Sequence, residues 1–289
     1  MLRTTSQRDR KINLTGRRQL EFNAPAIMGV LNITPDSFSD GGKFFNWNLA
    51  LSRAREIMEE GADIIDIGGE SSRPGSDPVS AEDELQRVIP LVKAIRELSQ
   101  IAISVDTTKA EVARQALEAG ADIINDISAL RFDAGMPIVL KKYGASVVLM
   151  HMLGQPKTMQ DAPYYKDCVS EIGDFFGERI EFCLRSGINR KAIILDPGIG
   201  FGKRLEDNVT IIRNMQAFRR FECPLMLGTS RKSFIGLIMG RKDAPEKRIG
   251  GSIASALLGI ENGADILRVH DVAPTVEAVK VFKAVSEAE

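Results

Sequence analysis

Hydrophilic side chains in this chain gather at the ends of short apolar runs. Asn32 ends AIMGVLN (Ala26–Asn32), Asp66 and Glu70 lie toward the end of EEGADIIDIGGE (Glu59–Glu70), and Asp106 follows IAISV. Asn125 with Asp126, His151, Asp196, the run Ser230–Ser233, and Arg268 with His270 continue the series. A carboxylate accepts two hydrogen bonds side by side, a primary amide both donates and accepts, and an ammonium only donates. Asp106, Asn125, Asp196 and Lys232 together therefore suit a neutral ring bearing amino and oxo groups, such as a 2-amino-4-oxopyrimidine. Arg268, His270, Asn32 and Arg73 have the opposite character and suit a multiply charged anion such as diphosphate. Taken singly, an Asp or Asn at a strand end is about as often a turn former or helix cap. Their arrival in register is the stronger observation.

The elements that must carry these tips are written as an internal repeat. EEGADIIDIGGE, EAGADIINDIS (Glu118–Ser128) and ENGADILRVHD (Glu261–Asp271) each run from a helix-like stretch through Gly-Ala-Asp-Ile into an apolar strand with a polar end. Gly61, Gly120 and Gly263 fall where a helix must stop, a position that glycine fills without steric cost. Gly61 to Gly120 is 59 residues and Gly120 to Gly263 is 143. Divided over two and four units, these give about 30 and about 36 residues, the size of a βα repeat. AIMGVLN, IAISVDT (Ile101–Thr107), ASVVLMH (Ala145–His151), AIILDPG (Ala192–Gly198) and PLMLGTS (Pro224–Ser230) bring the strands to eight. Eight parallel strands with alternating helices in this length predict one domain with the TIM (β/α)8 barrel fold, ahead of an open doubly wound sheet. In such a barrel the strand C-termini face the active site.

Between the strands, Ser80 with Asp83 reads as an N-cap and capping-box partner. Leu85, Val88, Ile89, Val92, Ile95 and Leu98 then form one apolar stripe. Thr108 is expected to cap Lys109–Ala119, and Val276, Val279, Phe282 and Val285 are expected to pack the last helix on the barrel wall. NITPDSFSDGGKFF (Asn32–Phe45) and GGESSRPGSDPVS (Gly68–Ser80) are too long for simple turns and read as lids over the active face. DPGIGFGK (Asp196–Lys203) fits neither common phosphate-loop spacing. Its glycines allow a tight loop close to a ligand, with Asp196 and Phe201 as contacts.

Composition narrows the function further. The 289 residues are 44% hydrophobic and 27% charged with a net charge of −1, which argues against broad binding to nucleic acid or anionic membranes. No stretch reaches the ~20 apolar residues of a membrane span. Cys168, Cys183 and Cys223 are few and widely spaced, which suggests a reducing, cytoplasmic compartment and no zinc or iron–sulfur centre. With His151 and His270 the only histidines, a His-rich metal site cannot be built. No G-x-S-x-G elbow accompanies GTSRKS, so serine hydrolysis is disfavoured. Residues 1–24 are basic and lack an apolar signal core. They read as an arm or a hairpin closing the barrel floor, leaving 25–289 for the barrel.

NITPDSFSDGG, DIGGESSRPG, SVDT, NDIS, MHM, LDPGIGFGK, GTSRKSFIG and RVHDV, in this order from about Ala26 to the C-terminus, resemble the dihydropteroate synthase family. That family is a TIM barrel, usually homodimeric, that joins p-aminobenzoate to a dihydropterin diphosphate in folate synthesis. The resemblance implies that Asp106, Asn125, Asp196 and Lys232 hold the pterin. It implies that Asn32 coordinates Mg²⁺ with the diphosphate, which Arg268 and His270 also contact. Ser72 and Arg73 come from the second lid and Asp40 from the first. Phe38, Pro74 and Phe201 enclose p-aminobenzoate, whose carboxylate meets Ser233 and nearby backbone amides. Asp40, Arg73 and Lys232 are the residues implied in catalysis. Two departures stand out: Ser72 where the family commonly has Thr, and Leu153 where it commonly has Arg after MHM.

The reaction implied is displacement of diphosphate from the pterin methylene by an arylamine, which is a weak base and attacks unprotonated. Lid closure would bring Asp40 to the developing cation and create the p-aminobenzoate pocket, so binding is expected to be ordered. A pterin-binding methyltransferase acting on methyltetrahydrofolate would share the Asp and Asn contacts without needing a diphosphate site. A Schiff-base aldolase using Lys232 and a non-catalytic binding protein are the other readings.

Overall fold

Each Gly-Ala-Asp-Ile copy does the same thing at the bottom of the molecule. Gly61, Gly120 and Gly263 have φ of 95°, 110° and 106°, the left-handed region that side chains resist. The aspartate two residues on reaches sideways to the adjacent chain segment. Asp63 accepts from Ile27 N at 2.8 Å, Asp122 from Ile103 N at 3.1 Å and Asp265 from Leu225 N at 2.9 Å. Arg96 Nη2 binds Asp122 at 2.7 Å, and both terminal nitrogens of Arg219 bind Asp265 at 2.7 Å. The repeat thus satisfies amides at the start of neighbouring strands, where a buried unpaired N–H is costly.

The structure, a computed structural model, describes residues 11–15, 19–21, 24–33, 47–71, 78–155, 157–241 and 244–288. A hairpin of β1 (Lys11–Asn13) and β2 (Gln19–Glu21) comes first, followed by β3 (Ala26–Asn32) and α1 (Trp47–Glu59). Next are β4 (Ile64–Gly68), α2 (Ala81–Leu98), β5 (Ala102–Asp106), α3 (Ala110–Glu118), β6 (Ile123–Asp126) and α4 (Met136–Tyr143). Then follow β7 (Ser146–Met150), α5 (Cys168–Arg185), β8 (Ile193–Asp196), α6 (Leu205–Arg213) and β9 (Met226–Leu227). α7 (Ser233–Ile238), α8 (Ile249–Glu261), β10 (Ile266–Val269) and α9 (Val272–Ser286) complete the chain.

Eight strands pair in parallel in the order β8-β7-β6-β5-β4-β3-β10-β9. Leu195 of β8 bridges in parallel to Leu225, just before β9, and Leu195 N donates to Pro224 O at 2.9 Å. The two ends of the sheet therefore meet, and the expected barrel is what forms. Alternation splits the core in two. Met28, Ile64, Ala102, Ile123, Val148, Ile194, Met226 and Ile266 fill the interior, and Ile12, Leu14 and Leu20 of the hairpin segment close it from below. The alternate residues, such as Ile27, Ile65, Ile103, Val147 and Leu267, face outward to the helices.

The helix readings hold in part. Ser80 caps α2 through Asp83 N at 3.1 Å, and Val88, Val92 and Ile95 are buried as expected. Leu98, the last residue of α2, is instead exposed, and Leu91 takes a core position. Thr108 does not cap α3. Ala110 N is met by Asp133 Oδ2 at 2.8 Å from the loop before α4, a partner that sequence neighbours cannot reveal. In α9, Val279 is buried but Val285 is exposed, since the helix outruns the barrel. Asp122→Ala, which strands Arg96 and the Ile103 amide, is expected to cost about 3–5 kcal/mol, read as a lowered urea midpoint with an unchanged slope.

Candidate active site

Period two fixes which strand tips look inward. Ile64 lies in the barrel interior, so Asp66 does too. The same step leads from Ala102 to Ser104 and Asp106, from Ile123 to Asn125, from Ile194 to Asp196, and from Ile266 to Arg268 and His270. Apolar side chains fill the lower barrel, and these polar groups form a cup above them. Asp126 and His151 have the other parity. Asp126 instead accepts from Ser128 N at 2.8 Å, Ser128 Oγ at 2.7 Å and Leu130 N at 3.1 Å. His151 packs edge-on against Phe175 with ring centres 4.9 Å apart.

The centre of the cup is a charged network. Asp66 is fully buried. It accepts from Ser104 Oγ at 2.5 Å, Asn125 Nδ2 at 3.1 Å and Arg268 Nε at 2.6 Å. Arg268 Nη2 continues to Asp106 Oδ2 at 2.8 Å. Burial, with the charges of Asp66, Glu84 and Asp126 behind it, pushes the Asp106 carboxyl up to about 7 against the pull of Arg268. Burial also raises Asp196, which accepts from Gly198 N at 2.8 Å.

Lys232 enters from the residue before α7. Its Nζ donates to Ile199 O and stands 4.7 Å from the centre of the Phe201 ring. Burial lowers the Lys232 ammonium to about 8, with Asp196 opposing and Arg268 adding to the shift. The Asp196–Lys203 loop can bend under this site because Gly198 has φ of 68° and a Cβ there would stand 2.0 Å from His151 O. Phe201 packs beside Met150, Met152 and Met159. Buried Lys203 pins the loop, donating to Phe201 O at 3.0 Å and His151 O at 3.3 Å, with Nζ 3.1 Å from His151 Nδ1. Burial drives Lys203 down to about 7, and burial followed by the Lys203 charge drives His151 down to about 2. His151 is thus a neutral structural residue outside the cup.

On the β3–β10 side, Asn32 and His270 line a polar cleft with Arg53, Glu60, Arg231 and Asp271. His270 Nδ1 lies 3.2 Å from Ser230 Oγ, which also accepts from His270 N at 3.1 Å. Arg231 is held by Asp271 at 2.6 and 3.0 Å, and Arg53 by Glu60 at 2.7 and 3.2 Å. Ser233 is the exposed first residue of α7. The structure therefore brings together Asn32, Asp106, Asn125, Asp196, Phe201, Lys232, Ser233, Arg268 and His270 at one mouth of the barrel. Phe38, Asp40, Ser72, Arg73 and Pro74 lie outside the described residues. Sequence reading gave no role to Asp66, Lys203, Arg53 or Arg231. Strand parity could have flagged Asp66, whereas Arg53 sits on α1 with no signal of its own.

Residues 28–270 match the family described as pterin binding enzyme. The dihydropteroate synthase of Escherichia coli K12 is 46% identical over 270 residues, covering 93% of this chain and 95% of that protein. That of Synechocystis is 46% identical over 258 residues, 89% of each chain.

The chain belongs to the pterin-binding enzymes, among the dihydropteroate synthases.

The Yersinia pestis dihydropteroate synthase, solved with a sulfonamide drug complex, superposes with a TM-score of 0.90 at 44% identity over 96% of this chain and 100% of that one. The Xanthomonas albilineans enzyme with 4-aminobenzoic acid also gives 0.90, at 42% identity over 98% and 100%. Leu153, the departure from the common family pattern, is exposed, and its backbone packs against Gly202 of the loop beneath the site. Two shifted groups set a pH window for this pterin-binding barrel. Asp106 is an ionised acceptor above about 7, and Lys232 is a cation below about 8. A pterin that needs both is expected to give a bell-shaped kcat/KM, highest between those values and falling toward tenfold per pH unit outside them. A profile flat from about pH 6 to about pH 9 would contradict this.

Proposed function

We propose that this chain condenses p-aminobenzoate with 6-hydroxymethyl-7,8-dihydropterin diphosphate to give 7,8-dihydropteroate and diphosphate, a transferase step of folate biosynthesis. The observation that carries this reading is the adjacency of two unlike half-sites in one cup. Asp106, Asn125, Asp196 and Lys232 supply acceptors, an amide and a cation. Arg268 binds Asp106 at 2.8 Å, and Asn32, level with Asp106 across Gly68, lines with His270 the polar cleft at the same strand ends. A structure of the Xanthomonas albilineans relative holds 7,8-dihydropteroate, in line with this chemistry.

In this reading Asp106 and Asp196 accept from the ring and amino N–H groups, Asn125 serves an edge with both donor and acceptor, and Lys232 donates to the oxo side. Phe201 lies against the aromatic substrate, and Ser233 meets its carboxylate. The arylamine nitrogen attacks the pterin methylene carbon as the carbon–oxygen bond to diphosphate breaks. The bonding pair leaves with diphosphate, and the attacking nitrogen gives up a proton. Arg268 and His270 stabilise the departing charge. Asp40 and Arg73, with Ser72, act from the lids.

The described residues contain no cluster of three or more His, Cys, Asp or Glu able to cage an ion. Asn32, a neutral oxygen donor on the polar cleft, fits Mg²⁺ of the kind held chiefly by substrate phosphates and water. Bound there, Mg²⁺ would neutralise charge on the leaving group.

The test is diphosphate release with and without p-aminobenzoate. Release that depends on the amine, with Lys232→Ala lowering kcat/KM by about 10²-fold, supports the reading. Methyl transfer from methyltetrahydrofolate without diphosphate release would replace it.

A homodimer follows from the same reading. Leu237, Ile238, Met239 and Leu258 are 62%, 57%, 55% and 53% exposed on α7, its C-terminal edge and α8. Ile238, Met239 and Leu258 border an apolar groove with Val209 and Ile212 of α6, and contiguous exposed apolar surface of this kind suits an interface. Sedimentation is expected to give twice the chain mass, and Ile238→Glu to halve it. A monomeric wild type at micromolar concentration overturns the assignment. Three buried thiols with no disulfide suit a cytoplasmic setting. No helix among the described residues is long and apolar enough to cross a membrane. Of residues 1–24, the described part is a hairpin under the barrel floor, and 25–289 are assigned to the barrel.

A further inference from the structure

Beneath the groups assigned to the ligand lies one carboxylate that has no role in the condensation as described above. Asp66 is fully buried in the barrel interior and is the point on which three donors from three other strands converge. Ser104 Oγ of β5 binds its Oδ1 at 2.5 Å, while Asn125 Nδ2 of β6 and Arg268 Nε of β10 share its Oδ2 at 3.1 and 2.6 Å.

Each bond settles an orientation. A carboxylate only accepts, so the Asn125 amide must turn its nitrogen down to Asp66, leaving Oδ1 and the second amide hydrogen for whatever enters the cup. Arg268 is held by Nε at the base of its fork, while its Nη2 reaches Asp106 at 2.8 Å. The Nη2 bond is exchangeable, because a ligand amino group arriving at Asp106 can take its place. The Nε bond lies below and has no such competitor. We infer that Asp66 is a positioning residue for the condensation, anchoring Asn125 and Arg268 so that one amide edge and one guanidinium fork meet the pterin and its diphosphate in fixed geometry. The inference rests on the function proposed above for the surrounding residues.

Asp66→Asn is the direct test, since it keeps shape and removes acceptor capacity. The new amide can keep Asn125 and Arg268 on its oxygen, with its nitrogen turned to the Ser104 hydroxyl, but only as a neutral acceptor, so the anchor loses the charge that strengthens both bonds. With folding verified by circular dichroism and cooperative melting, kcat/KM for the pterin diphosphate is expected to fall about 10²-fold. The KM for p-aminobenzoate at saturating pterin should stay within about twofold. Combined with Asn125→Ala, the loss is expected to be far less than the product of the two single losses.

A purely structural role would not split the pterin kcat/KM from the p-aminobenzoate KM in this way, and the Asp66 charge also acts on Asp106 directly. Asp106 is faced by Arg268 of β10, Asp66 of β4, Glu84 of α2 and Asp126 of β6. Removing the Asp66 charge lowers the Asp106 carboxyl, so the acid limb of kcat/KM should shift to lower pH. A folded Asp66→Asn variant with kcat/KM within about threefold of wild type, or a fully additive double variant, overturns the inference.

Crystal structures of the wild type with and without a pterin give a second measurement should the variant not fold. The bonds of Asp66 to Asn125 and to Arg268 must both persist when the pterin binds, and loss of either one refutes the assignment. Wild type that releases no diphosphate would sink the proposed reaction instead. Calorimetry of pterin binding to wild type and Asp66→Asn would then still decide the role of Asp66, with unchanged affinity counting against it.

Discussion

Closing eight parallel strands into a ring sends every second side chain into a single shared interior. The lower part of that interior must be dry, because its walls are backbone already paired strand to strand. Met28, Ile64, Ile123, Val148 and Ile194 fill it, and Ile12, Leu14 and Leu20 seal it from below. One step of the same parity higher, polar residues from different strands are forced into contact whatever their distance along the chain. Arg268 and Asp66, 202 positions apart, are held at 2.6 Å by this rule alone. A shift of one residue in any strand would send its tip into the helix layer, where Asp126 and His151 already sit.

Gathering charges in such a place is expensive, at several kcal/mol for each ion taken from water. The arrangement offsets this with opposite charge and dense hydrogen bonding. Arg268 lies between Asp66 and Asp106, and Asp66 also takes the Ser104 hydroxyl and the Asn125 amide. The compensation is incomplete at Asp106 and Lys232, whose shifted protonation near neutrality reflects burial outweighing their partners. These are the groups that keep hydrogen-bonding capacity for a ligand. Groups that serve the scaffold, such as Asp122 and Asp265, are instead tied to arginines and amides at the opposite end of the barrel.

The outer layer follows a looser rule. Helices need only cover the outward strand residues, so their ends can overhang. Leu98 and Val285 are exposed for that reason, and the cap of α3 comes from Asp133 instead of Thr108. On α7 and α8 the overhang leaves apolar side chains facing outward beside α6.

The barrel was legible in the residues because its signals are local. A glycine that ends a helix, an apolar run of four to seven residues and a polar tip recur with a spacing that only a βα array explains. Residue type likewise pointed to a ring site and an anion site, since carboxylate, amide and guanidinium chemistry does not depend on fold. What the linear order could not reveal is which tips share a face and which partner each one keeps. That Asp66 lies under Asn125 and Arg268, that His151 turns away to Lys203, and that Asp63, Asp122 and Asp265 serve neighbouring strands all depend on contacts between distant segments. Such contacts exist only once strand register is set, because register follows from the packing of the whole barrel and not from any one strand.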